Sequence, residues 1–322
     1  MRVVDVGIYL GKLPPTTRPM PALPPPKTIM VAGRQHRLLD VGTGPLTFVL
    51  VHGNPTNLLL WRHFIGPLSA RFRVIAVDLL TTDDRPTSDN LHDIDADVDV
   101  VLAALDDAGV DDVILVGHDW GVSIILEVWE RLRGHPRLRV RGLSFFEGLL
   151  YPLRLRDHNV VAWAIARLLQ LPLVGWLLLV ELNLFIRVLL PLGCRRRLRP
   201  DELALFADRF RTRASRRAIW RWVQTVPGSR RHPLWARVDH LREALFASTI
   251  PKLWFYARPG FATCARSITD TLGRCRALRA VDVGDGVHYL GEDDPDLLVR
   301  HLLAFADELT TSRPLQRPGD TA

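Results

Sequence analysis

The pentapeptide Gly117-His118-Asp119-Trp120-Gly121 restricts this chain more than any other stretch. It follows the apolar, β-branched run Val113-Ile114-Leu115-Val116 and opens into Val122–Arg131, where apolar residues recur at helical spacing. A buried strand, a turn bracketed by glycines and a helix together form a strand–elbow–helix unit. Such a unit lifts its central residue out of the sheet, and the glycines permit the tight turn. Here the central residue is Asp119. Unlike a serine hydroxyl, a carboxylate of ordinary pKa, about 4, is already ionised and needs no base to become a nucleophile. Its attack on an ester or amide carbonyl would give an anhydride, which is uphill. Its attack on a saturated carbon gives an alkyl ester that water can later cleave. Asp119 therefore points to displacement at an sp3 carbon, in a carbon–halogen bond or an epoxide. The competing reading, an aspartate that only caps the next helix, is decided by the rest of the chain.

The 322 residues are 48% hydrophobic, enough to bury a large core as one domain with an insertion. Residues 1–26 carry Pro14-Pro15 and Pro24-Pro25-Pro26 and are expected to form an extended arm. Thr28–Val31 and His36–Val41 flank Ala32-Gly33-Arg34 and predict a hairpin. Leu46–Val51, Val74–Val77, Val113–Val116 and Arg141–Phe146 read as strands, with a helix over Asp95–Ala108. Near-continuous apolar strands alternating with helices indicate a doubly wound, mostly parallel α/β sheet. From residue 149 to 228 the strands stop, and helices are expected over Val160–Leu171, Leu173–Leu190 and Glu202–Arg213. Lys252–Tyr256 and Leu278–Val283 resume the sheet before a final helix at Pro295–Leu309. The expected organisation is a core of residues 27–148 and 229–309, a helical cap of residues 149–228 and a flexible tail of residues 310–322.

The net charge is +7, and 39 of the 42 cations are arginine, spread through the sequence rather than grouped as a nucleic-acid footprint. Cys194, Cys264 and Cys275 are too few and too irregular for a disulfide framework or zinc site. With no signal-peptide pattern after Met1, the expected location is the cytoplasm. Leu168–Val180 has 13 residues without a charge, short of the ~20 needed to cross a bilayer. A buried or self-associating cap helix is the favoured reading over an interfacial membrane anchor.

His288 follows the last strand, the third place in a nucleophile–acid–histidine order, where it would activate the water that cleaves the Asp119 ester. The acid that orients it could follow either of two strands. Ala257-Arg258-Pro259-Gly260 offers no carboxylate, whereas Glu147 follows Arg141–Phe146, so Glu147 is assigned. A departing epoxide oxygen needs a proton, but Tyr9, Tyr151, Tyr256 and Tyr289 all lie outside the body of the cap. A departing halide needs only N–H donors, which the Trp120 indole and the Asn54 amide supply. The backbone N–H groups of Asn54 and Trp120 would form the oxyanion hole.

This set resembles the haloalkane dehalogenase family of the α/β-hydrolase fold. His52-Gly53-Asn54-Pro55-Thr56 with Leu60-Trp61-Arg62, the elbow His118-Asp119-Trp120-Gly121, and His288-Tyr289-Leu290 with Glu292-Asp293 and Pro295-Asp296-Leu297 are similar to that family's motifs. The resemblance spans roughly residues 28 to 305. It implies a mostly parallel eight-stranded sheet with an inserted helical cap. It also implies Asp119 as nucleophile, His288 as base, Glu147 as acid, Asn54 and Trp120 as halide ligands, and no metal or organic cofactor. The implied partners are a halogenated alkane, water and the released halide. After Asp78 the family's Gly-x-Gly-x-Ser-Asp loop is replaced by Leu79-Leu80-Thr81-Thr82-Asp83-Asp84. The Leu- and Arg-rich cap is nearer to the family's third branch, whose members tend to associate.

Overall fold

The computed structural model describes residues 13–15, 18–79 and 91–311. The replaced loop from Leu80 onward, most of the Pro-rich arm's first half and the tail beyond Thr311 lie outside the described residues.

Eight strands form one sheet: β1 (Lys27–Val31), β2 (Arg34–Val41), β3 (Thr47–Val51), β4 (Arg73–Val77), β5 (Asp112–His118), β6 (Arg139–Phe146), β7 (Lys252–Pro259) and β8 (Leu278–Gly286). Their order is β1-β2-β4-β3-β5-β6-β7-β8. β1 and β2 make the expected hairpin, turning at Ala32 and Gly33 with positive φ of 48° and 75°, as a two-residue turn between right-twisted strands requires. β2 also pairs antiparallel with β4, and every other pairing is parallel.

Because strand side chains alternate, a parallel sheet covered on both faces needs an apolar residue at every position. β3 shows this. Val49 and Val51 face one layer with Val98, Ile124 and Leu245, while Phe48 and Leu50 face the other with Phe64 and Leu302. The first layer is built from α2 (Ile94–Asp107), α3 (Trp120–Arg131) and α9 (Leu234–Ala247). The second is built from α1 (Arg62–Ser69) and α12 (Pro295–Thr311). Helix α2 starts where Asp93 accepts a hydrogen bond from the Ala96 N–H, 3.1 Å away.

Between β6 and β7 the described chain is helical or irregular, with helices α4 (Val160–Leu169), α5 (Pro172–Gly175), α6 (Leu190–Leu192), α7 (Pro200–Ala207) and α8 (Arg213–Thr225) before α9. Two single helices expected here are broken. Leu173–Leu190 divides into α5, two wide-turned segments (Trp176–Glu181 and Phe185–Leu189) and α6, with Asn183 at φ 53° between the wide turns. Glu202–Arg213 ends at Ala207. A 3-10 turn follows at Asp208–Phe210, and Thr212 then caps α8 by accepting from Ser215 N at 3.1 Å. The remaining helices are α10 (Ala265–Arg274) and α11 (Leu290–Asp293).

At the elbow, a Cβ on Gly121 would come within 2.1 Å of the Val51 carbonyl oxygen, so α3 can approach β3 this closely only with glycine there. Gly121→Ala should therefore destabilise the fold by about 1–3 kcal/mol. Gly273→Ala has nothing within 4 Å of its new methyl and lies in α10, so it should gain up to about 1 kcal/mol. Chemical denaturation of the two variants side by side checks the contrast.

Candidate active site

Parallel register brings the site together. Val51 of β3 pairs with Gly117 of β5, which pairs with Phe145 of β6. The residues just past those strand ends, Asn54, Asp119 and Glu147, therefore gather at the carboxyl edge of the sheet, where open α/β sheets bind ligands. Asp119 has φ 55° and ψ −124°, a costly conformation for a side chain with a Cβ and one associated with functional turns. Its Oδ1 accepts the Asn54 backbone N–H at 2.8 Å, and the Trp120 backbone N–H also hydrogen-bonds the carboxylate. Burial pushes the Asp119 carboxyl above the ordinary range, against the pull of nearby His288 and of these two N–H donors. The side chain is 24% exposed and lines a cavity.

The cavity has a volume of about 190 Å³. Asn54, Asp119, Trp120 and His288 stand on its wall, and the rest is mainly apolar, with Ile165, Leu169, Phe185 and Leu189 contributed by the helices between β6 and β7. His288 lies between two carboxylates, its Nε2 3.6 Å from Asp119 Oδ2 and its Nδ1 3.7 Å from Glu147 Oε2. Glu147, at φ 45° and almost fully buried, accepts the N–H groups of Phe261 and Ala262, each at 2.8 Å, and the Thr263 hydroxyl at 3.0 Å. All five residues singled out from the sequence thus meet in one place.

Four supports for His288 escaped the sequence reading. The loop after β7, dismissed for lacking a carboxylate, supplies the donors that hold the acid instead. His118 Nε2 lies 3.1 Å from the His288 carbonyl oxygen. Burial holds the His118 pKa far below its usual value, so the ring is neutral and donates this bond. The Gly193 carbonyl accepts the backbone N–H groups of His288 and Tyr289 at 2.9 and 3.0 Å. Finally, Glu292, four residues past His288, is locked in a buried ionic network. Arg62 donates to its two oxygens at 2.5 and 2.7 Å, Arg196 donates to Oε2 at 2.7 Å, and Arg196 also pairs with Glu202 at 2.7 Å. Arg62 and Glu292 stand inside motifs quoted from the sequence, but their pairing spans 230 positions and leaves no local signal.

An aspartate elbow at the carboxyl edge of an eight-stranded, mostly parallel sheet, facing a largely apolar cavity with a histidine and an acid beside it, is the arrangement of an α/β-hydrolase fold. A family profile described as alpha/beta hydrolase fold matches residues 47–165. The chain is 30% identical over 297 residues to a haloalkane dehalogenase of Sphingobium indicum, covering 88% of this chain and 95% of that one. It is 28% identical over 295 residues to a haloalkane dehalogenase of Mesorhizobium japonicum, covering 91% and 94%. Among solved structures, the haloalkane dehalogenase DatA from Agrobacterium tumefaciens C58 matches with a TM-score of 0.77 at 26% identity, covering 88% of this chain and 96% of that chain. The chain belongs to the haloalkane dehalogenase family.

Replacing Glu292 by leucine would leave two arginines buried without their shared carboxylate, at a cost of about 3–5 kcal/mol. The exposed Arg71–Asp307 pair is a control, since Asp307→Ala should cost less than about 1 kcal/mol. Urea titrations of both variants give the comparison.

Proposed function

We propose that the protein hydrolyses carbon–halogen bonds of haloalkanes to an alcohol, a halide and a proton. The reading rests on Asp119, whose carboxylate faces a largely apolar cavity beside Asn54 and Trp120, with His288 across from it. In the first step a carboxylate oxygen of Asp119 attacks the halogen-bearing carbon. The carbon–halogen bond breaks, the halide leaves with its electron pair, and an alkyl ester remains. The Asn54 amide and the Trp120 indole N–H stabilise the leaving halide. In the second step His288 takes a proton from water as the water oxygen attacks the ester carbonyl carbon. The tetrahedral oxyanion is held by the backbone N–H groups of Asn54 and Trp120. Its collapse breaks the bond to the alkoxide, which takes the proton back from the His288 imidazolium and leaves as the alcohol. The carboxylic acid that remains releases its proton to solvent and restores the Asp119 carboxylate. Glu147, fixed by the 261–263 loop, stabilises the imidazolium. The helical segment 149–228 acts as a cap that excludes bulk water from the cavity and shapes it for an apolar substrate.

Epoxide opening is the alternative for an aspartate elbow, and the tyrosines count against it. Tyr151 bonds Asp270 and Thr271, with its hydroxyl 3.0 Å from the carboxylate. Tyr289 does line the cavity, but it comes from the turn after β8 rather than from the helices above the site. The discriminating experiment is incubation with short 1-bromoalkanes and, separately, a terminal epoxide. Bromide release without diol formation is expected, and diol without bromide would overturn the reading.

Two further outcomes test the roles. Asp119→Asn should lower kcat/KM at least about a thousandfold, since the nucleophile belongs to a unit that fails when any member is lost. His288→Phe should arrest the reaction at the ester, seen as the added mass of an alkyl group on the Asp119 peptide.

The pH dependence follows from burial of Asp119. Only the ionised carboxylate attacks, and desolvation raises its pKa. The rate of ester formation should therefore fall with decreasing pH through a midpoint above the ordinary carboxylate range. Single-turnover bromide release across the acid range measures this limb.

A further inference from the structure

The helices between β6 and β7 carry two features that the proposed chemistry does not use. The first is exposed apolar surface. Among the described residues, nine of the thirteen exposed large hydrophobic side chains fall between Leu155 and Leu192. They are densest where α4 turns into α5: Leu168, Leu171, Leu173 and Leu177 are 47%, 51%, 87% and 52% exposed. The two arms of this turn, Val160–Leu169 and Pro172–Glu181, are bent by 92°, and no single described helix is long and apolar enough to cross a membrane. A surface of this kind lies against something rather than through it.

The second feature is charge. Residues 160–231 hold fourteen arginines and four acidic residues, a net +10. The remainder, with 28 cations and 31 acidic residues, is at −3. At least six of these arginines are ion-paired, Arg195, Arg196 and Arg209 with acids from outside the segment and Arg199, Arg211 and Arg213 with acids inside it. The charge that matters is therefore that of the exposed arginines near the apolar turn. Arg167 precedes Leu168 and packs beside Gly228, which brings exposed Arg230 and Arg231 to the same flank. Arg217 lies over the Trp176 ring, 5.4 Å from its centroid, and exposed Arg187 adjoins Val188.

Apolar side chains ringed by permanent cations match a bilayer whose headgroups are anionic. Leucines enter the acyl boundary, guanidinium groups meet lipid phosphates, and tryptophans suit the zone between. A second copy fits less well, because a twofold contact through this face would set like charges opposite one another. We propose that the α4–α5 turn docks the protein on an anionic membrane surface, with Leu171, Leu173 and Leu177 inserted and the arginine rim on the headgroups. The same helices wall the cavity, and Leu192 is both exposed and part of its lining. A docked molecule thus presents the cavity to the phase in which apolar haloalkanes concentrate, a consequence that rests on the proposed function.

The test is vesicle flotation with the full chain. Vesicles of equal parts phosphatidylcholine and phosphatidylglycerol at about 0.1 M salt should carry the protein, while pure phosphatidylcholine, or about 0.5 M salt, should release most of it. Leu171→Ser/Leu173→Ser/Leu177→Ser, none of which lines the cavity, should lower the bound fraction at least about tenfold with an unchanged thermal melt. Arg187→Glu/Arg230→Glu/Arg231→Glu should weaken binding to the anionic vesicles alone. Absence of flotation at low salt, or equal flotation of wild type and the serine variant, overturns the proposal. So does a wild-type oligomer in sedimentation velocity that the serine variant reduces to monomer while neither floats, which would make this face a contact between copies. Flotation reads binding without turnover, so its failure and the failure of dehalogenation are separate results.

Discussion

A desolvated carboxylate governs this structure. Burial disfavours the charge of Asp119, and the backbone N–H groups of Asn54 and Trp120 aimed at its carboxylate favour the charged form. Those donors come from two different strands, and their convergence depends on β3 and β5 keeping register to the last residue before each turn. The positive φ at Asp119 and the close passage of Gly121 past Val51 are the geometric conditions of the same contact. A side chain at Gly121 or a slip of β3 would move the donors off the carboxylate.

His288 is placed by different physics. It sits in a short turn with no helix of its own. Gly193 and His118 hold its backbone, and the salt-bridged Glu292 anchors the residues that follow, its own N–H donating to the Tyr289 carbonyl. Gly193, Arg196 and Glu202 belong to the helical insertion, while Arg62 belongs to the core. The insertion is therefore more than a cover for the cavity, because part of it fixes the histidine that faces the cavity from below. A buried network of two arginines and two glutamates adds little stability compared with apolar packing, but it is unforgiving of a missing member. That makes it suited to setting one arrangement of the turn.

The sequence was informative where a pattern has a short period or a motif is contiguous. The parallel strands showed as uninterrupted apolar runs, the hairpin as Ala32-Gly33, and the elbow as glycines around Asp119. It was misleading where residues are apolar on every side. Leu173–Leu190 carries no face for a period to mark, so the break at Asn183 and the wide turns around Trp176 and Phe185 were hidden in a run that reads as one helix. Thr212, which caps α8, lies inside Glu202–Arg213 between helix-forming neighbours, so that stretch reads as one helix. The same blindness applied to charge. Arginines counted along the chain look evenly distributed, and only the folded surface shows that exposed Arg167, Arg187, Arg230 and Arg231 belong to the same group of helices as the exposed leucines.

By itself the sequence located the elbow, because an aspartate bracketed by glycines after an apolar strand is a local arrangement. It also determined the sheet, because burial on both faces demands apolar residues at every strand position. Tertiary structure alone decided how the groups are supported. The 261–263 loop behind Glu147, the Gly193 carbonyl under His288 and the Arg62–Glu292–Arg196–Glu202 network join residues between 6 and 230 positions apart. Such contacts are fixed by how whole layers pack, and no short stretch of sequence records them.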